Sequence, residues 1–238
     1  MSRGLGVDGR GVVSDGRGLF VGDTGGTLID NFEASPDGPY ASGEDTVDYY
    51  DGDTGTLFRN SGDVVEGSQG LYSSDTSGSW FNIISQPGQG LPNYPQPGDR
   101  IGAIGRDPSG ANHNHFIVCG GTDGTGYGYR FSSVDNSLKI MDWYSRNDTN
   151  YIAGPASVSI NAGEWYWFEF LFPDSSGYVE FEIYNLNTTD LTRGSLKQSI
   201  SHDLVNSGDD QYLNQEGIGF GEDGNQSGVM FDWARIIG

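Results

Sequence analysis

The chain has 238 residues, with 33 Asp or Glu against 12 Lys or Arg, so its formal net charge is −21. Only 34% of residues are hydrophobic, yet 13% are aromatic and these gather in strand-like runs, which is the composition of a folded chain. The charge excludes nucleic acid and anionic membrane surfaces as partners, since both demand a basic face, and no stretch approaches the roughly 20 apolar residues of a membrane span.

Residues 1–27 differ from the rest. They carry two Asp-Gly-Arg-Gly motifs, Asp8–Gly11 and Asp15–Gly18, and one aromatic, Phe20. A Gly-rich segment of this kind buries no core of its own, so it needs a surface to lie on: its own domain, or a neighbouring subunit in an oligomer. Met1–Gly6 has no apolar run, so a classical secretory signal is not expected.

From residue 28 the pattern is β. Gly, Pro, Asn and Asp clusters bound predicted strands at Leu28–Phe32, Leu57–Asn60, Gly70–Ser74, Ser79–Ser85, Arg100–Arg106, His115–Gly120, Tyr127–Ser133, Ser137–Tyr144, Ser157–Ile160, Trp165–Phe172, Tyr178–Tyr184, Leu196–Ser201, Gly217–Gly221 and Val229–Ile237. Tyr166, Phe168, Phe170 and Phe172 form one wholly apolar strand face, while Trp165, Trp167, Glu169 and Leu171 form a mixed one. At most one helical turn is expected. Many short strands without helices predict an all-β, two-sheet antiparallel sandwich of jelly-roll type over 28–238, with the first and last strands side by side.

The acidic excess has a particular form: 24 Asp, 9 Glu, 10 Arg and only two Lys, Lys139 and Lys197. Asp-rich, Lys-poor composition suits brine, where salt screens the self-repulsion of such a charge. Cys119 is the single cysteine, so no intrachain disulfide forms and a buried thiol is the expected state.

Three segments together carry a family resemblance: Leu28-Ile29-Asp30-Asn31-Phe32-Glu33, then Val64-Val65-Glu66-Gly67-Ser68-Gln69-Gly70-Leu71, then Gly217–Phe220 followed by Val229-Met230-Phe231-Asp232-Trp233-Ala234-Arg235-Ile236. Their order resembles concanavalin A-like lectin/glucanase domains and jelly-roll carbohydrate-binding modules. Leu91–Asp99 looks like a loop of the haloarchaeal and halovirus versions. The resemblance implies a structural calcium ion joining first strand, turn and last strand, with Glu33, Ser68 and Asp232 as ligands and Asp30 nearby; hard oxygens of this kind suit calcium. The plainer alternative is that Asp232 caps or pairs at a strand edge and Glu33 faces solvent.

It also implies a sugar-binding surface. Sugar C–H faces stack on aromatic rings while polar side chains take the hydroxyls. Trp80, Tyr94, Tyr129 and Trp143 are the candidate platforms, with Arg106, His113 and His115 as polar partners; core packing is the competing reading for each aromatic. Glucanases on this sandwich place paired carboxylates on one strand. Glu180 and Glu182 share a strand face, but their surroundings do not reproduce an E-x-D-x-x-E motif, so they are expected to be surface acids and the chain is not expected to be an enzyme.

These readings combine into one expectation. The chain is a structural virion protein of a halophilic archaeal virus, assembled in the host cytoplasm as a homo-oligomer (trimer favoured) through residues 1–27. It presents a carbohydrate-binding domain to a host-surface glycan, without nucleic acid or membrane insertion. The alternative is a secreted or cell-surface haloarchaeal carbohydrate-binding module, or a glycoside hydrolase on the same fold.

Overall fold

The computed structural model describes residues 26–33, 38–39, 50–51, 57–74, 80–88, 91–108, 113–119, 128–134, 136–145, 148–223 and 227–238. Residues 1–25, with both Asp-Gly-Arg-Gly motifs, lie outside the described residues, and so does the assembly role expected of them.

Among the described residues, sixteen strands and one helical turn follow in chain order: β1 Thr27–Asp30, β2 Gly38–Pro39, β3 Tyr50–Asp51, β4 Leu57–Ser61, β5 Gln69–Ser74, β6 Trp80–Ser85, β7 Arg100–Arg106, β8 His113–Cys119, β9 Gly128–Val134, β10 Ser137–Ser145, β11 Asp148–Ser157, β12 Trp165–Leu171, β13 Tyr178–Asn187, β14 Thr192–Asp203, α1 Leu204–Ser207, β15 Gly217–Asp223 and β16 Ser227–Ile236. They build two sheets. The first has the order β14-β13-β12-β7-β16-β5-β4-β2, with β1 also on β16; the second has the order β11-β10-β9-β8-β15-β6-β3. As expected, first and last strands pair, antiparallel, Thr27 opposite Ile236. The architecture is the all-β sandwich of a jelly roll.

Inward-facing residues of the two sheets interdigitate. Phe116 of β8 lies 5.2–6.2 Å, centroid to centroid, from Phe168, Phe170, Phe181, Phe220 and Phe231. All six rings are fully buried. Each such ring removes roughly 150–250 Å² of surface from water, which makes this cluster the main source of cohesion. Alternation delivers it: in β12, Tyr166, Phe168 and Phe170 enter the core while Trp165, Trp167 and Glu169 face out.

Several expected boundaries change. Phe32 is not in a strand; it turns at φ 54°, with its N–H donating to Asp30 Oδ1 at 2.8 Å. The expected strand Ser157–Ile160 is a connection, because β11 runs through 148–157 instead. The strand expected at Leu196–Ser201 is twelve residues long. The helical turn α1 starts at Asp203, whose side chain caps the Asn206 N–H, and stops at Gly208 with φ 82°.

Candidate functional site

The three segments behind the resemblance do meet. Glu33 Oε1 accepts the N–H groups of Ser68 (2.6 Å) and Gln69 (2.8 Å), and Oε2 accepts the Ser68 hydroxyl at 2.9 Å. Asp232 Oδ2 accepts the N–H groups of Val65 and Glu66, each at 2.8 Å. Gly67, between these donors, has φ 72°, and a Cβ there would overlap the Glu33 carboxylate. Only glycine serves at that position. Burial pushes the Asp232 carboxyl up to about 7, and the charges of Glu66 and Glu33 push the same way, against the two N–H donors.

The calcium expectation concerns these same carboxylates. Calcium gathers six to eight oxygens, whereas here the carboxylates of Glu33 and Asp232 are turned onto N–H and O–H donors, and Asp30 holds the Phe32 N–H. Among the described residues no three Asp, Glu, His or Cys side chains group to hold a metal. Hydrogen bonds from backbone N–H groups to Glu33 and Asp232 close this strap.

Three sugar-binding candidates are also committed elsewhere. Tyr129 is fully buried; its hydroxyl donates to the Asp209 carbonyl at 2.6 Å and accepts the Tyr212 N–H at 3.2 Å, and burial pushes it up to about 12. The Tyr94 hydroxyl shares a 2.8 Å hydrogen bond with Ser85 Oγ, and its ring packs against the core. Arg106 is buried, donates through Nε to the Val229 carbonyl at 2.8 Å, pairs with Asp63 and covers the Trp165 ring at 4.6 Å. These residues build the scaffold.

The outer face of the first sheet holds the acids. Glu180 and Glu182, expected as free surface acids, are partly buried and held by Arg100, with Nη1 2.7 Å from Glu182 and Nη2 bonded to Glu180. The same Nη1 lies 3.6 Å from Glu169, which is 1% exposed and is also bound by Arg193 Nη1 at 2.7 and 2.9 Å. Above them Trp167 and Trp233 meet edge to face at 5.1 Å, and Arg235 covers the Trp233 ring at 4.5 Å. Gly102 makes room, since a Cβ there would lie 3.0 Å from Trp167 Cζ2.

The outer face of the second sheet is different. Ile83, Phe116, Val118, Tyr129, Phe131, Leu138, Ile140, Ile218 and Phe220 belong to the core, so the alternate positions of β6, β8, β9, β10 and β15 face outward. The ladders between these five strands run without a register shift. One cross-strand row is therefore Lys139–Ser132–His115–Gly221–Asn82, and the next is Met141–Arg130–Ile117–Gly219–Ile84. Trp80 and His113 occupy strand positions towards one end of this face, and Trp143 lies towards the other, opposite Gly128 and Thr149. Four residues singled out in the sequence, Trp80, His113, His115 and Trp143, thus lie on strands of this one sheet.

Two features of this face were not legible in the sequence. Gly217, Gly219 and Gly221 put a line of absent side chains along its middle. Beside it the Asn82 Oδ1, in a residue only 4% exposed, has no hydrogen-bond partner among the described residues. At the β11 edge Tyr151, paired in register with Met141, is 64% exposed, and the Lys139 ammonium sits 5.3 Å from its ring centroid. Along this face Asn82, Ile84, Arg130, Ser132, Lys139 and Met141 are buried, and Tyr151 at its edge is the exposed ring, the kind of platform on which a sugar C–H face stacks.

No family model matches the chain, and no curated protein matches it in sequence. Among solved structures it is similar to β-agarase B from Zobellia galactanivorans (13% identity, 87% of this chain and 90% of that one, TM-score 0.49). It is also similar to the cellulose-induced protein Cip1 (16%, 75% and 84%, TM-score 0.49) and to carbohydrate-binding module CBM66 from Bacillus subtilis (12%, 73% and 94%, TM-score 0.41).

Proposed function

We propose that this chain is a carbohydrate-binding jelly-roll domain that takes its ligand on the outer face of the second sheet. It acts there as a structural virion protein of a halophilic archaeal virus, in a head decoration, turret or tail fibre, attaching the particle to a host-surface glycan. The observation that carries the binding role is Tyr151, a 64% exposed ring at the β11 edge of the same sheet face as the glycine row. The acidic, Lys-poor composition supports a halophilic setting, and the Gly-rich residues 1–27 support assembly into a homo-oligomer, for which a trimer is favoured. Many weak contacts on one particle then act together. A binding role is favoured over hydrolysis because Glu169, Glu180 and Glu182 are all ion-paired to arginine; a general acid or nucleophile needs a carboxyl free to meet the sugar.

A glycan-binding assay in molar salt tests this reading. Wild-type protein binds at least one host-envelope polysaccharide, and Tyr151→Ala loses about tenfold, the equivalent of one stacking contact. No binding to any glycan overturns it. Size-exclusion chromatography with and without residues 1–27 tests the assembly role, which fails if the oligomeric state is unchanged. A secreted or cell-surface haloarchaeal module predicts that unchanged outcome together with intact glycan binding.

A further inference from the structure

The open part of the second sheet is its β11 edge and the connection that follows it. From Thr149 to Gly163 the sequence carries no charged residue, although 19% of the whole chain is charged. In a protein of net charge −21 such a stretch offers a ligand neutral groups only.

Two features lie along it. The first is Tyr151. The Lys139 ammonium stands over one face of its ring, 5.3 Å from the centroid, and the ring is otherwise open to water. A ring held in this way loses little freedom when a sugar stacks on its other face. The second is an open cleft of about 630 Å³ lined by Asn136, Ser157, Val158, Ser159 and Ile160. Asn136 shapes it: its carbonyl accepts the Val158 N–H at 2.8 Å and its Oδ1 accepts the Ile160 N–H at 3.4 Å. Val158 is buried, while Ser157 and Ser159 on either side of it are exposed. Their hydroxyls both donate and accept, which suits a polyol.

The strand register puts ring and cleft on one face. Leu138 and Ile140 enter the core, so Ser137 and Met141 of the same strand face outward. Their partners on β11 are Ser157 and Tyr151. Register shifts between these pairs let the stretch from Tyr151 to Ser157 run beside the shorter one from Ser137 to Met141. Ring and cleft are therefore roughly 13 Å apart, the length of about two to three pyranose units. Between them Gly154 and Pro155 are exposed and present no polar side chain.

We infer that the β11 edge binds the interior of a neutral, linear polysaccharide. One sugar stacks on Tyr151, and another, two or three units along the same chain, sets its hydroxyls on Ser157 and Ser159. This rests on the carbohydrate-binding reading above and names its ligand class. A single sugar reaches the ring or the cleft but not both, so the site reads chain length. An anionic chain gains nothing here, because the segment has no cation of its own and the protein as a whole repels it.

The test titrates the whole chain, in about 1–2 M salt, with laminarin, lichenan and mannan, with an oligosaccharide ladder from whichever of them binds, and with alginate. The expected result is binding to at least one neutral polymer, about tenfold or more tighter than to alginate. Along the ladder, affinity rises about tenfold or more from the single sugar to three or four units and then levels. Ser157→Ala combined with Ser159→Ala removes that rise and leaves single-sugar affinity in place, whereas Tyr151→Ala weakens every length. Both serines are exposed, so the double variant melts with wild type. Affinity that does not depend on length, or a rise that survives the double variant, overturns the inference and leaves the carbohydrate-binding reading standing. Alginate bound as tightly as the neutral polymers does the same. Binding to none of these ligands overturns both.

Discussion

The two sheets of this sandwich present opposite outer faces. On the first, acids, guanidiniums and indoles neutralise and cover one another: Arg100 holds three glutamates, Arg193 covers Tyr184 at 4.9 Å while binding Glu169, and Arg235 covers Trp233. On the second, glycines remove side chains, an amide oxygen goes unmet and a tyrosine stands in solvent. Both faces are rich in aromatic and charged residues, so composition does not separate them. The difference lies in exposure: Trp167 and Trp233 are buried against their neighbours, whereas Tyr151 is 64% exposed. A ring packed against its neighbours contributes cohesion; a ring left in water is available to a ligand.

That contrast breaks most sharply at Glu169. Replacing it with Ala leaves Arg193 without its carboxylate and removes a fully buried charge from the Arg100 cluster. The expected loss is about 3 kcal/mol of unfolding free energy, measured by urea denaturation, with glycan binding of the surviving folded protein unchanged. A comparable loss of binding would mean that the first sheet is the ligand face. Next comes Gly67→Val. The valine meets both a positive φ and the Glu33 carboxylate, so the strap opens and stability falls by about 2 kcal/mol.

Asp232 gives a prediction of sign. Its folded-state carboxyl stands near 7 and its unfolded one near 4, so between those values the folded chain binds more protons. Stability from this group is therefore highest below about pH 4 and is lost as pH rises to about 7. Asp232→Asn, which still accepts the Val65 and Glu66 N–H groups, flattens that part of the profile. A calcium ion on this carboxylate would lower its pKa and reverse the slope, and a chelator would then lower the melting temperature. Thermal melts across pH 4–8, with and without chelator, distinguish the two.

How much of this was legible in the sequence depended on alternation. β12 and β13 read clearly because aromatic and charged residues alternate strictly, and the pairing of first and last strands followed from the fold class. Glu33, Ser68 and Asp232 were rightly grouped, but residue types alone do not say whether a carboxylate faces a cation or an N–H; that depends on the backbone turn at Gly67. Tyr129 was open to a better reading, since it shares strand parity with the apolar Phe131 and so belongs inside. β11 was hidden. Its sequence, Asp148–Ser157, contains Gly154 and Pro155, and its ladder with β10 shifts register at three places. A bulged edge strand shows no clean period, and with it Tyr151 was missed.

Tyr129 and Tyr151 make the finest test, because the two tyrosines differ only in where the sandwich puts them. Tyr129→Phe removes a buried hydroxyl that donates to Asp209 and accepts from Tyr212, so it costs about 1 kcal/mol and leaves glycan binding untouched. Tyr151→Ala removes a ring that is mostly in water, so stability changes by no more than about 0.5 kcal/mol while binding falls. Paired melts and binding isotherms on the two variants read both quantities at once. If Tyr129→Phe weakens binding with stability intact, ligand reaches the Asp209–Tyr212 end of the sandwich. The second-sheet face would then lose its claim, because the outward rows of β8, β9 and β10 point away from that hydroxyl.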